Sequence, residues 1–208
     1  MAKQERGARS RQQILEAAAS VFEQRGYDAA STTEILSRTD LTRGSLYHHF
    51  PSKEAIATAL MSVHEDALVM PEHPVAVQAV IDLTIGFAER LQEDQVLRAA
   101  VRLATEHTSL SHGRAAPYEQ SRTAVYQLLR RAERQGELLP GVDLEAAAWT
   151  IVGSFTGLQI MSQVYSGRRD LLQGVSAFWQ FILPGLAVPG LLLRLRTNPA
   201  PCEPDADS

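Results

Sequence analysis

LTRGSLYHHFPSKEAI, residues Leu41–Ile56, sets two backbone breakers, Gly44 and Pro51, around a dense group of polar and aromatic side chains. Thr42 carries the hydroxyl of a helix N-cap, which predicts a short helix from there to about His49. Pro51 ends it, because the residue before a proline avoids the helical region. Upstream, Ser31 and Glu34 stand at capping-box spacing before Ile35 and Leu36, predicting a helix from about Thr32 to Arg38. Ile14, Ala17, Ala18, Val21 and Phe22 recur at helical spacing, and Gly26 sits where that helix should stop. Two short helices joined by TDLT (Thr39–Thr42) and preceded by an amphipathic helix form a helix-turn-helix pattern.

In that pattern the second short helix enters the DNA major groove with its N-terminal residues toward base edges. Gly44, lacking a side chain, lets the backbone approach DNA closely. Arg43 suits a bidentate contact to guanine or a phosphate. Ile35, Leu36, Leu41, Leu46 and Phe50 supply the small core beneath, and Tyr47 and His48 point outward. Lys53 opens a fourth helix, capped by Ser52, whose free N–H groups favour a phosphate. Thr33 and Thr42 are expected as supporting phosphate contacts. A helical corner with no role in DNA binding has a similar outline. His48 and His49 do not make a metal site, since adjacent helical residues do not share a face and no third ligand joins them.

The remainder also reads as helix. The fourth helix should run to about Val69, followed by the break MPEHP (Met70–Pro74) and by helices at Val75–Leu91, Gln95–Glu106, Pro117–Gln135, Leu144–Tyr165 and Asp170–Leu183. Asp143 is a suitable N-cap, and no strand-like alternation of useful length occurs. The 208 residues are 45% apolar, enough to bury a sizeable core. A net charge of −4 argues against a general polyanion binder. Yet Met1–Lys53 holds eight Lys/Arg against six Asp/Glu, a locally basic region. The single cysteine, Cys202, excludes an intrachain disulfide framework. No apolar signal core is present at the N-terminus, so the expected location is cytoplasmic.

The block Gln12–Ala59, QQILEAAASVFEQRGYDAASTTEILSRTDLTRGSLYHHFPSKEAIATA, resembles the DNA-binding domain of the tetracycline-repressor (TetR) family of transcriptional regulators. The helix-one face, F-x-x-x-G-Y, the T-T-E-I run, G-x-L-Y-x-H-F and K-E fall in order. The resemblance implies an all-helical homodimer: a DNA-binding domain at 1–52, a larger ligand-binding and dimerisation domain at 53–197, and release from DNA when a ligand binds. VLRAAVRLATEHTS (Val96–Ser109) and VGSFTGLQIMSQVYSG (Val152–Gly167) are similar to the γ-butyrolactone receptor subgroup, which controls antibiotic production in response to diffusible hormones. Subgroup members carry a ligand-contacting Trp where this chain has Ser121. His64 replaces a polar or Gln residue late in the fourth helix. With these departures a butenolide or furan carboxylic acid is as compatible as a γ-butyrolactone. His64 suits a carboxylate.

The residues themselves point to a ligand domain without naming a ligand. Leu144–Tyr165 is apolar all round, with Glu145 its only charge, so it is expected to be buried on more than one side. Trp149, Val152, Gly153, Thr156 and Ile160 form one stripe; Leu144, Ala148, Ile151, Phe155 and Leu158 form another. One stripe would face a pocket and the other a partner helix. Thr156 is a hydroxyl on an apolar wall, able to fix a ligand group or to bond its own helix backbone. The expected pocket is walled by Val101, Val125 and Val152, with His64, Tyr118, Tyr126 and Thr156 as polar fixtures and Ser121 and Trp149 at its lining. Leu171–Leu193 carries no charge. Glycines and prolines interrupt it, so a dimer interface built from Leu171, Val175, Phe178, Trp179 and Ile182 is expected rather than a membrane span. Phosphate loops, nucleophile elbows and HExxH motifs are missing, so neither catalysis nor a cofactor is expected. His107 and His112 read as a solvated helix end and loop. The tail 198–208, Pro-rich and acidic, is expected to be disordered. The partners implied are a double-stranded operator, a small lactone, butenolide or furan, and a second copy of the chain. A repressor that responds to another hydrophobic ligand, or to none, is the alternative.

Overall fold

The computed structural model describes residues 2–66, 68–106 and 116–198, with side chains at 5–63, 68–105 and 117–198. In chain order the helices are α1 (Ala2–Ala29), α2 (Thr32–Ser37), α3 (Arg43–His49), α4 (Lys53–Asp66), α5 (Ala76–Glu93), α6 (Gln95–Glu106), α7 (Ala116–Arg134), α8 (Leu144–Ser166), α9 (Leu171–Ile182) and α10 (Pro189–Leu192). A 3-10 turn, Leu183–Gly185, follows α9. The all-α reading holds among the described residues, apart from an isolated antiparallel bridge between Leu138 and Ala187. The tail at 199–208 and the segment holding His107 and His112 lie outside the described residues. Two compact units form, Met1–Ala67 with Glu93–Gln120, and Leu68–Gln92 with Ser121–Ser208.

In the first unit the local signals act as their chemistry requires. The face of α1 at Ile14, Ala18, Val21 and Phe22 is buried. At Gly26 the chain kinks, with φ 73° and ψ 168°, a left-handed conformation that glycine adopts without a Cβ penalty. The Ser31 hydroxyl accepts from the Glu34 N–H at 3.1 Å, and Thr42 Oγ1 accepts from Ser45 N–H at 3.2 Å. Ser52 does the same for Ala55 N–H at 3.2 Å. Ile35, Leu46 and Phe50 are buried, and Leu36 and Leu41 pack against them. α6 lies against α1 and α4 and is tied to α1 through Glu23. The Glu23 carboxylate accepts from Gln95 Nε2 at 2.9 Å and from Arg98 Nε at 2.9 Å. α4 ends at Asp66 rather than near Val69, and Leu68, Val69 and Met70 are non-helical. Pro71 pushes Met70 out of the helical region, so the helix stops before it.

In the second unit α5 is buried on nearly every side, including Val77, Val80, Ile81, Ala88 and Leu91. Its first N–H groups are capped from elsewhere in the chain. Glu137 accepts from Ala76 N–H at 3.1 Å and Val77 N–H at 2.8 Å, placing a carboxylate at the positive end of the helix. The bridge holds Glu137 there: Val188 N–H donates to Glu137 O, and Leu139 N–H to Leu186 O, both at 2.9 Å. Asp143 caps α8, and Gly167 closes it in the left-handed conformation. The interface expected from Leu171, Val175 and Trp179 is corrected here. All three are fully buried inside the unit. Trp179 Nε1 donates to Thr84 Oγ1 at 2.8 Å, and Thr84 Oγ1 donates to Ile81 O at 2.8 Å, so the buried indole has its partner. Positions 171, 175 and 179 share one helical face, and that face is core. The outward face of α9 carries Phe181 instead, 87% exposed.

Candidate nucleic-acid interface

α3 buries Leu46 and turns Arg43, Gly44, Tyr47 and His48 outward. These form two i,i+4 pairs on one exposed arc. The Arg43 guanidinium lies 5.7 Å from the Tyr47 ring centroid, within cation–π reach. The Tyr47 hydroxyl is 3.2 Å from Thr32 Oγ1 on α2. That hydrogen bond first, and Arg43 beside it, hold Tyr47 below the ordinary phenol range. Tyr47 is thus braced on both sides while 40% of it stays open to solvent. Thr33 is exposed at the start of α2, and Thr42 is exposed at the start of α3.

Lys53 opens α4 and is half-buried. Its ammonium donates to Tyr27 O at 2.8 Å and Ala30 O at 2.9 Å, with a longer contact to Asp28 O at 3.5 Å.

The expected ligand residues fall in both units, and each is placed within its own. In the first, Val101 is buried on α6, and its carbonyl accepts from Thr105 Oγ1 at 2.5 Å. Thr105 also bonds the Tyr118 phenol, which burial pushes above its ordinary pKa. His64 lies on α4, and its side chain is outside the described residues. In the second unit Val125 is buried, while Ser121, Tyr126, Val152 and Thr156 are half-buried. Thr156 Oγ1 donates to Val152 O at 2.8 Å. Trp149 departs from expectation: 69% exposed, it faces outward from the same helix as Val164 and Tyr165, which are 75% and 80% exposed. The inner stripe is the other one, where Ala148 and Ile151 are buried and Phe155 packs edge-to-face on Phe87 at 5.7 Å. A cleft of about 500 Å³ in this unit is lined by His73, Gln78, Asp82, Leu191, Arg194 and Arg196, none of them anticipated from the sequence.

Residues 14–60 match the model of the bacterial regulatory proteins of the tetR family, and residues 75–189 match a tetracyclin repressor-like C-terminal domain. The A-factor receptor protein of Streptomyces griseus is 38% identical over 196 residues, covering 94% of this chain and 70% of the receptor. The chain belongs to the TetR family. The full-length TetR regulator TylP of Streptomyces fradiae superposes with a TM-score of 0.81 at 38% identity, over 93% of each chain. A γ-butyrolactone receptor described as ArpA-like superposes with a TM-score of 0.76 at 26% identity, over 91% of this chain and 94% of its own.

TetR-family membership makes this a DNA-binding transcriptional repressor of a non-catalytic family, closely related to the γ-butyrolactone receptor subgroup. Among the described residues no helix is long and apolar enough to cross a membrane, and no group of three or more His, Cys, Asp or Glu is placed to hold a metal ion. Two members of this TetR site escaped the sequence reading. Thr32 braces Tyr47 from fifteen residues away, a contact with no local signal. Thr105 was legible as a hydroxyl one helical turn after Val101, but not as the partner of Tyr118.

Proposed function

We propose that this TetR-family repressor binds a pseudo-palindromic operator as a dimer and is released by a small hormone-like lactone, butenolide or furan, in control of antibiotic production in the cytoplasm. Arg43, Gly44, Tyr47 and His48 read the groove, and Thr33 and Thr42 contact phosphates. Residues 1–52 carry the DNA function; residues 53–197 carry ligand binding and dimerisation.

The observation that carries the DNA reading is the exposed face of α3. A braced tyrosine and an arginine lie over a buried core, beside a glycine that no internal contact requires. A Cβ on Gly44 would meet only Thr42 Oγ1, at 3.9 Å. The absence of a side chain there finds its use against an outside surface. Outward Trp149, Val164, Tyr165 and Phe181 on α8 and α9 supply an apolar surface for the second copy. Similarity to the A-factor receptor supports a hormone-like effector. Thr156 narrows its chemistry. The hydroxyl proton is given to Val152 O, so Thr156 accepts from a ligand hydroxyl rather than donating to a lactone carbonyl.

The test is a DNA shift assay on the region upstream of the chain's own gene, repeated with lipid extract of the source culture. Specific retardation that the extract reverses is the expected result. Specific retardation that neither the extract nor synthetic lactones, butenolides and furans reverse would leave a repressor without this effector class.

A further inference from the structure

The cleft in the second unit is bordered by none of Val101, Val125, Val152 and Thr156. One wall is the start of α5, and the other is the non-helical segment that follows α10. Gln78, almost fully buried, fixes the second wall to the first. Its Oε1 accepts from Arg196 N–H at 2.8 Å, and its Nε2 donates to Arg196 O at 2.9 Å. One side-chain amide thus takes both backbone groups of Arg196, as a neighbouring strand would. Ser176 Oγ anchors the same segment further along, donating to Asn198 Oδ1 at 2.8 Å. The backbone of this wall is tied down while its charged side chains are left over. Arg194 and Arg196 are exposed, and among the described residues neither guanidinium has an ion pair or a hydrogen bond. The second Nε2 hydrogen of Gln78 goes to Asp82 Oδ1 at 2.7 Å, which completes that amide. Asp82 Oδ2 has no partner among the described residues. The positive end of α5 is already covered, since Glu137 takes the N–H groups of Ala76 and Val77. Leu191, Leu195 and Val75 supply apolar lining, and the volume of about 500 Å³ suits a small organic molecule.

We propose that this cleft is a second ligand site, for a small organic acid that carries one hydrogen-bond donor on an apolar body, such as an N-acyl amino acid or a hydroxy acid. Arg194 and Arg196 take the carboxylate, whose two oxygens match a guanidinium fork. Asp82 Oδ2 takes the donor, and Leu191 and Leu195 cover the body. Each feature narrows the class. A neutral ligand leaves both guanidinia unpaired. An acid without a donor brings a second carboxylate toward Asp82 and gives Oδ2 nothing to accept. A bare inorganic anion uses neither Asp82 nor the leucines. The site depends on neither the operator nor the effector reading above.

The probe is N-acetylleucine, titrated into ¹⁵N-labelled full-length protein and followed by NMR. The side-chain Nε–H signals of Arg194 and Arg196 are assigned by their loss in Arg194→Gln and Arg196→Gln. In wild-type protein both signals should move and saturate at one probe per protomer. Each glutamine variant should weaken probe binding on the order of tenfold. Neither should disturb the fold, because both side chains are exposed and the Gln78 clamp holds backbone that the substitutions leave in place. The methyl ester of the probe lacks the charge, and 4-methylpentanoate lacks the amide N–H; each should bind on the order of tenfold more weakly than the probe. Thr156→Val should bind the probe as wild type does. Arginine signals that stay still, an ester that binds as tightly as the acid, or inorganic phosphate that gives the same shifts at the same concentration would each overturn the site. So would loss of probe binding in Thr156→Val, which would put the probe in the effector pocket instead.

Discussion

Tyr47 stands at the centre of the reading face because two groups converge on it: Thr32 on its hydroxyl and Arg43 on its ring. Tyr47→Ala should reduce operator binding to the level of unrelated DNA, measured by fluorescence anisotropy with a scrambled fragment as reference. The unfolding midpoint should change little, since the ring is largely at the surface. Specific binding retained by this variant would place the groove contact elsewhere. Tyr27 makes a separate prediction about pH. Its folded pKa, about 12, lies above the ordinary tyrosine value of 10.0, so the folded state favours the protonated phenol. That preference is fully present below the unfolded value and is lost as pH rises toward the folded one. Wild-type stability should therefore fall more steeply than that of Tyr27→Phe between about pH 10 and 12. Urea unfolding across that window is the measurement, and parallel curves would refute the shift.

At the scale of elements, α5 depends on a cap it does not carry. The carboxylate of Glu137 holds two of its N–H groups from sixty residues away. Glu137→Ala should cost about 1–2 kcal/mol of stability, seen as a lower urea midpoint at unchanged slope. Glu137→Gln keeps an accepting oxygen but loses the charge at the helix end, so it should fall between the two. An alanine variant as stable as wild type would mean that water replaces the cap without loss. By contrast, α2, α3, α4, α6 and α8 each carry a cap from within about three residues, at Ser31, Thr42, Ser52, Asp94 and Asp143.

For the whole molecule, the outward apolar faces of α8 and α9 predict the assembly. Phe181→Asp places a charge on the most exposed ring of α9, while the buried Trp179 stays untouched. Sedimentation should show monomer, and tight operator binding should be lost with it, since two half-sites about one DNA turn apart need two recognition helices. A Phe181→Asp protein that stays dimeric would exclude this face from the interface. The switch has a known scale. Driving a dimer from nearly all DNA-competent to nearly all released requires a ligand preference of about 5.5 kcal/mol for the released shape. A small effector supplies that only when largely buried with its polar atoms satisfied. Thr156→Val should raise the effector concentration needed for release and leave ligand-free binding intact, both read from titrations of the same operator complex. Unchanged release would remove Thr156 from the ligand site.

The sequence by itself determined whatever depends on neighbours in the chain. Caps, glycine stops and helical periodicity placed α2, α3, α6 and α8 within a residue or two, and the core of Ile35, Leu46 and Phe50 followed from their spacing. The exposed Arg43, Tyr47 and His48 were legible for the same reason: on a seven-residue helix with a known inner side, the outer side is defined. Only the tertiary structure decided the rest. α8 and α9 are apolar on all sides, so their period could not say which stripe packs inward; the partners in α5 did, burying Trp179 and leaving Trp149 and Phe181 outside. Lys53 has a flexible stem that reaches several directions from one backbone position, and the carbonyls of Tyr27 and Ala30 selected one of them. A side chain's partner is written locally only where the backbone leaves it one direction to go; where it leaves several, contacts made by distant parts of the chain choose among them.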